Sequence, residues 1–200
     1  MSNRRQLLAA SLIAASALSA GCTSIMQKPA PFLSVTDLPR FFPRFPIPFT
    51  ADWEQMIAVH FIDEAKAGGA PANIPELRTR LLVKPDSLEV ALLAMNFPVW
   101  RLYLSPTGLR ESRHGLLDKR VAAEPFLRDL TFALWPEKDI REMLAESPDA
   151  DRWSLRVSTN TRRLTAGNLL LLEMKKEGDV ITLTNHPEGY TLTITTAPAD

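Results

Sequence analysis

The chain has 200 residues, 23 basic and 23 acidic, with 46% hydrophobic side chains and a formal net charge of zero. Ordinary charge and apolar content exclude disorder by composition, and a balanced chain has no global basic field for nucleic acid. One cysteine excludes an internal disulfide framework or a thiolate metal cluster, and no apolar run reaches the ~18–20 residues of a membrane-spanning helix.

Arg4 and Arg5 form a short positive region, and the uncharged, Leu- and Ala-rich stretch 6–20 has the length of a signal-peptide core. It ends in Leu18-Ser19-Ala20-Gly21-Cys22, which resembles a bacterial lipobox. That resemblance implies a signal peptide over 1–21, cleavage before Cys22 and acylation of its sulfur and amine. Each buried methylene of such chains contributes about 0.8 kcal/mol, so two or three chains hold firmly where one is marginal. Thr23 rather than Asp follows Cys22, which in the same pattern implies an outer-membrane anchor facing the periplasm.

Residues 22–50 read as a tether. The stretch 28–50 holds six of the 16 prolines and five of the nine phenylalanines. Lys28-Pro29-Ala30-Pro31 is a stiff spacer. Over 38–49 the prolines forbid regular helix and central strand. The phenylalanines there need apolar surroundings, supplied either by the surface of the domain, as a strap, or by lipid or a partner, with Arg40 and Arg44 assisting.

The domain, 51–200, reads mainly as strands. A strand is expected over 54–61. Leu77, Thr79, Leu81 and Val83 alternate with Arg78, Arg80, Leu82 and Lys84, the period of a half-buried strand. Pro85-Asp86-Ser87 is turn chemistry, followed by a strand over 88–95 that is apolar on nearly both faces. Asn96-Phe97-Pro98 connects to a strand over 99–104, and Ser105-Pro106-Thr107-Gly108 turns into another over 109–113. Phe126, Leu127, Leu130 and Leu134 then fall at helical spacing within 123–135, and Pro136 ends that helix. A second short helix covers 138–145. Strands resume over 153–158, 168–175, 180–184 and 190–195. About eight short antiparallel strands with inserted helices give an α+β, mainly β, class: a curved antiparallel sheet or half-open barrel covered by one or two helices.

The search for catalytic chemistry returns little. His60, His114 and His186 have no metal-ligand spacing, there is no G-x-S-x-G elbow, and the glycines form no phosphate loop. His60 with Asp63 and Glu64 is the one acid–base grouping. The reading is therefore non-catalytic, with no cofactor and no metal. What stands out is the excess of apolar side chains on strands: 88–95 and 169–172 offer them to both faces. Such strands are either covered by helices or line an apolar cavity. The candidate lining is Leu81, Val90, Leu92, Trp100, Leu102, Phe126, Leu130, Trp153, Leu170, Leu172 and Ile194.

Three stretches resemble a bacterial outer-membrane lipoprotein family, the domain of unknown function 3261, often encoded beside aryl-polyene pigment biosynthesis and export genes. They are 88–105 with its Asn96-Phe97-Pro98 loop, Phe126-Leu127-Arg128-Asp129-Leu130 through Ala133-Leu134-Trp135-Pro136, and Gly189-Tyr190-Thr191-Leu192-Thr193-Ile194. The order of lipobox, strands, helices and strands is also similar to the lipoprotein-sorting receptor LolB. That similarity implies a half-open barrel with a cavity for acyl chains and a loop carrying an exposed apolar residue, here Phe97; the glycine of that loop is missing in this chain.

The expected function is a membrane-anchored lipoprotein binding a hydrophobic ligand (an acyl chain, a lipoprotein or an aryl-polyene lipid) as a carrier or acceptor accessory. Its expected partners are the outer membrane through acylated Cys22, a lipid-like ligand, and a periplasmic carrier protein or exporter, with no nucleic acid. The rival is a non-catalytic structural or interaction subunit of an envelope complex. Cavity volume separates the two, since roughly 300 Å³ or more suits a ligand.

Overall fold

A computed structural model describes residues 38–39, 42–62, 73–115, 117 and 121–196, with backbone alone at 73–75. The lipobox with Cys22, the spacer 28–31, Arg40, Phe41, Asp63 and Glu64 lie outside the described residues.

The strands are β1 (Ala51–Phe61), β2 (Asn73–Lys84), β3 (Ser87–Ala94), β4 (Phe97–Ser105), β5 (Gly108–Arg113), β6 (Trp153–Val157), β7 (Thr161–Ala166), β8 (Leu169–Glu177), β9 (Val180–Asn185) and β10 (Tyr190–Thr196). Between β5 and β6 stand helices α1 (Ala123–Leu134) and α2 (Glu137–Ala145) and a single 3-10 turn, Ala150–Arg152. All ten strands form one antiparallel sheet in the order β5-β4-β3-β2-β1-β10-β9-β8-β7-β6. The chain closes on itself at the middle, where β1 pairs with β10, and leaves β5 and β6 as unpaired edges.

Alternation decides which face goes in. The registers align Leu109, Leu104, Leu88, Val83 and Ala51 in one row across the sheet, and Leu102, Val90, Leu81 and Trp53 in the next. Val59, Leu192, Leu183 and Met174 make another row on the far half. The opposite face carries ion pairs such as Arg80 with Asp52 at 2.7 Å and Arg163 with Glu173 at 2.7 Å. Exposed pairs of this kind contribute little to stability; their effect is to keep that face wet.

Helix α1 fills the trough of the sheet. Phe126 packs on Trp100 of β4 with ring centroids 5.1 Å apart, Asp129 bonds Asn185 of β9 and Tyr190 of β10, and Arg162 of β7 reaches the helix's last turn. A single helix meets β4, β7, β9 and β10 only because the sheet curls around it. Phe126, Leu127, Leu130 and Phe132 are all buried, as are the polar Arg128, Asp129 and Thr131. At the end of α1, Trp135 is extended (ψ 154°), as the following proline requires. Arg162 Nη1 then donates to the carbonyls of Phe132 (2.9 Å) and Trp135 (2.7 Å), placing a cation at the negative end of the helix dipole.

Three expectations are revised. Among the described residues there are ten strands rather than about eight, and β7 is the one that matches no expected stretch. Strand β2 begins at Asn73, and the β1–β2 register shifts between Ile57 and Val59, opposite Pro75, where a residue without an amide hydrogen is tolerated. The β3–β4 connection is the two-residue turn Met95-Asn96, so that Phe97 and Pro98 already belong to β4.

Residues 42–49 lie against the domain as a strap. The Ile47 amide donates to the Pro85 carbonyl at 2.8 Å, Phe49 meets Trp135 edge-on at 5.5 Å, and Arg44 pairs with Glu146 and donates to the Glu142 carbonyl at 2.7 Å. Ile47 is 2% exposed. Ile47→Ala is therefore expected to destabilise the domain by about 2–4 kcal/mol in chemical denaturation, the range for truncating a buried aliphatic side chain.

Candidate functional site

A pocket of about 520 Å³ opens at one end of the trough. Among the described residues its walls are Val59 and Phe61 of β1, Tyr190 and Leu192 of β10, Pro187 and Glu188 of the β9–β10 turn, and Val121, Ala122, Pro125 and Phe126 at the start of α1. The lining is predominantly apolar, as ligand pockets are, with few polar groups to fix orientation. The space exists because α1 begins with Ala122, Ala123 and Pro125; the first turn offers little side-chain volume next to the sheet.

The polar side of this pocket belongs to a buried network. Asp129, whose side chain is fully buried, accepts from Arg128 Nε at 2.7 Å, from Asn185 Nδ2 at 3.0 Å and from the Tyr190 hydroxyl. Glu188 accepts from Arg128 Nη1 at 3.0 Å and from Asn185 Nδ2 at 3.3 Å. The Glu188 amide donates to Asn185 Oδ1 at 3.0 Å. Arg128 and Glu188 are 8% and 10% exposed at the side chain. Burial by itself would lower the Arg128 pKa, but the two paired carboxylates outweigh it and hold the guanidinium above its ordinary value. For Tyr190, burial and the neighbouring Asp129 and Glu188 push the phenol well above its usual range.

The Tyr190 shift sets an alkaline limit. A phenol whose pKa is raised by folding contributes stability that is complete below its unfolded pKa, about 10. That contribution is lost as pH rises through the folded value. Unfolding free energy should fall more steeply above about pH 10 than in Tyr190→Phe, which lacks the titrating group. Equal alkaline slopes in denaturant titrations of the two proteins would contradict the assignment.

The strand directions place other apolar groups at the same end of the sheet. Strands β1 and β3 are both antiparallel to β2, so β1 and β3 finish, at Phe61 and Ala94, toward the same end of the sheet, and β10 starts there opposite Phe61. Among the described residues the exposed large hydrophobics are Ile62 (58%), Met95 (95%) and Phe97 (75%). All three belong to the pocket end. Met95 and Asn96 hold φ of +49° and +67°, the left-handed backbone that a two-residue hairpin turn requires. Asn tolerates it; Met is an uncommon choice, with strain of about 1–2 kcal/mol.

Most residues proposed as cavity lining lie elsewhere. Leu81, Val90, Leu92, Trp100, Leu102, Leu130, Leu172 and Ile194 are in the packed core against α1, with Trp153 half-buried on its flank and Leu170 half-buried on β8. Phe126 is in the core and also lines the pocket. Sequence reasoning missed Val59, Phe61, Val121, Pro187, Glu188 and Tyr190 as a set. The available signal was the turn Asn185-His186-Pro187-Glu188-Gly189, of which Asn185 and Glu188 fold inward while His186 is exposed.

A second pocket, of about 540 Å³, lies at the opposite end, among Trp53, Gln55, Leu134, Arg162, Lys176 and Asp179. It is more polar than the first, and Gln55 Oε1 is buried there without a hydrogen-bond partner. Among the described residues no three of His, Cys, Asp and Glu are placed to hold a metal ion, and no helix is long and apolar enough to cross a membrane.

No curated protein matches the sequence. Residues 54–198 match the model of the family "Protein of unknown function (DUF3261)", a span that takes in nearly all of the sheet, both helices and every described residue of the pocket. The chain belongs to the DUF3261 family.

Proposed function

We propose that this chain is an outer-membrane-anchored, periplasm-facing lipoprotein. In this reading it holds a hydrophobic, lipid-like ligand (an acyl chain, a lipoprotein's acyl group or an aryl-polyene lipid) as a non-catalytic carrier or acceptor accessory. The observation that carries this reading is the apolar pocket of about 520 Å³ at the same end of the sheet as the exposed Ile62, Met95 and Phe97. A volume of that size supports a carrier over a filled scaffold. Side chains such as Met95 and Phe97 tolerate water poorly, and lipid is the surface that suits them. The lone Cys22 at the end of a lipobox-like stretch supports the anchor. Ligand release would then occur at the end of the domain that meets the bilayer, and each methylene passing from pocket to membrane leaves and regains about 0.8 kcal/mol of burial.

A fluorescent acyl probe tests the reading. The full chain should take it up in an equimolar ratio, and Val59→Phe, which places extra volume on the pocket wall, should abolish uptake with little loss of stability. Phe97→Asp should leave uptake intact but slow transfer of the probe to vesicles by about tenfold or more, on the scale of desolvating a large aromatic side chain. Uptake unchanged in Val59→Phe would place any binding outside the pocket and overturn the reading.

A further inference from the structure

The pocket's polar groups specify what the end of a ligand can be. This inference rests on the reading of the pocket as a ligand site. Several donors along its wall are already spent or missing. The Tyr190 hydroxyl donates to Asp129, the Glu188 amide to Asn185 Oδ1 and the Phe126 amide to the Ala122 carbonyl. Pro125 and Pro187 have no amide hydrogen. The residues from β1 and β10 sit in strands paired on both sides. The side-chain acceptor that faces it with capacity to spare is the Glu188 carboxylate, whose oxygens each receive one hydrogen bond and have lone pairs left over.

The charge balance points the same way. The network behind the wall contains two carboxyl groups, Asp129 and Glu188, and one guanidinium, Arg128. Arg128 does not line the pocket, and its Nη2, though without an acceptor, is shut off from solvent. The first turn of α1 carries no side-chain cap, but it already bears an acid, Glu124, so the helix dipole is partly answered there. A carboxylate or phosphate entering this space would meet the Glu188 carboxylate and the excess acid behind it, which adds repulsion to the cost of its desolvation.

We propose that the pocket selects a lipid ending in an uncharged hydrogen-bond donor, a hydroxyl, which donates to the Glu188 carboxylate, and that it discriminates against free fatty acids.

The test is a direct comparison on the full chain at about pH 8, where a fatty carboxylate is ionised. The probes are decanol, decanoate and decyl methyl ether, measured by displacement of the fluorescent acyl probe. Decanol should bind at least about tenfold more tightly than decanoate, a difference of about 1.4 kcal/mol, and more tightly than the ether, which has the chain but no donor. In Glu188→Gln the preference for decanol over decanoate should shrink, and the wild-type ether comparison stands even if that variant folds poorly. Decanoate binding as tightly as decanol would overturn the end-group assignment while leaving the pocket as a lipid site. Failure of all three probes to displace would overturn the pocket reading itself.

Discussion

Asp129→Ala should destabilise the domain by about 3–5 kcal/mol, the range for breaking a buried charged pair from one side. The Asp129 side chain has no solvent exposure, and it accepts from three separate elements: Arg128 on its own helix, Asn185 on β9 and Tyr190 on β10. Removing it leaves the Asn185 amide with Glu188 alone, the Tyr190 hydroxyl without the acceptor it now uses, and the Arg128 guanidinium with one carboxylate. Each buried group left unsatisfied costs about 1–3 kcal/mol. Asp129→Asn keeps the shape and one acceptor oxygen and should cost less, though the charge that steadies Arg128 is gone. Urea denaturation of the two variants checks both statements; a loss below about 1 kcal/mol for Asp129→Ala would mean that the network is solvated in solution.

Trp100→Ala should cost about 3–5 kcal/mol, the range for deleting a large aromatic side chain from a core. Trp100 is fully buried. Its ring packs on Phe126, and Arg113 stacks over it at 4.9 Å from the centroid. Its indole N–H donates to Glu111 Oε1 at 2.7 Å. The residue thus joins α1 to both strands at one edge of the sheet, and its removal opens a cavity where only β5 stands between it and solvent. Trp100→Phe keeps most of the volume, losing the hydrogen bond and part of the ring, and should cost less than half as much. Equal losses for the two variants in the same titration would place the main contribution in the indole N–H rather than in packing.

The fold was legible wherever one face of a strand is apolar and the other polar. Leu77 through Lys84 and Tyr190 through Thr195 show that alternation plainly, and both proved to be strands in the expected direction. Strand β7 was not legible because its inward positions include Arg162. That arginine faces inward to cap the last turn of α1, a task set by a helix roughly thirty positions earlier in the sequence. The same cause hid the buried network. Arg128 and Asp129, read along a helix with an apolar stripe, belong to its wet side; they are buried because the sheet wraps the helix and has no wet side to offer there.

The pocket was the least legible part. Strands apolar on both faces were the natural candidates for its lining, yet Leu88, Val90 and Leu92 point into a trough that α1 fills, while Ala91 and Leu93 are half-buried on the outer face. The open space lies where three segments distant in sequence meet, around Val59, Val121 and the stretch from Glu188 to Leu192, and no periodicity marks such a meeting. Phe97 was singled out by the similarity to the lipoprotein-sorting receptor rather than by any local pattern, and it is 75% exposed at the start of β4. Its neighbour Met95, more exposed still at 95%, was assigned to the end of the preceding strand.

The central claim, that the pocket holds a lipid-like ligand in a membrane-anchored protein, is tested most directly by mass spectrometry of organic extracts. The full chain would be purified gently from a bacterial envelope and extracted alongside Val59→Phe prepared in the same way. Wild-type extracts should contain one lipid species per protein molecule, and extracts of the variant should lack it. Clean extracts from the wild type, or the same lipids at the same level from both proteins, would contradict it.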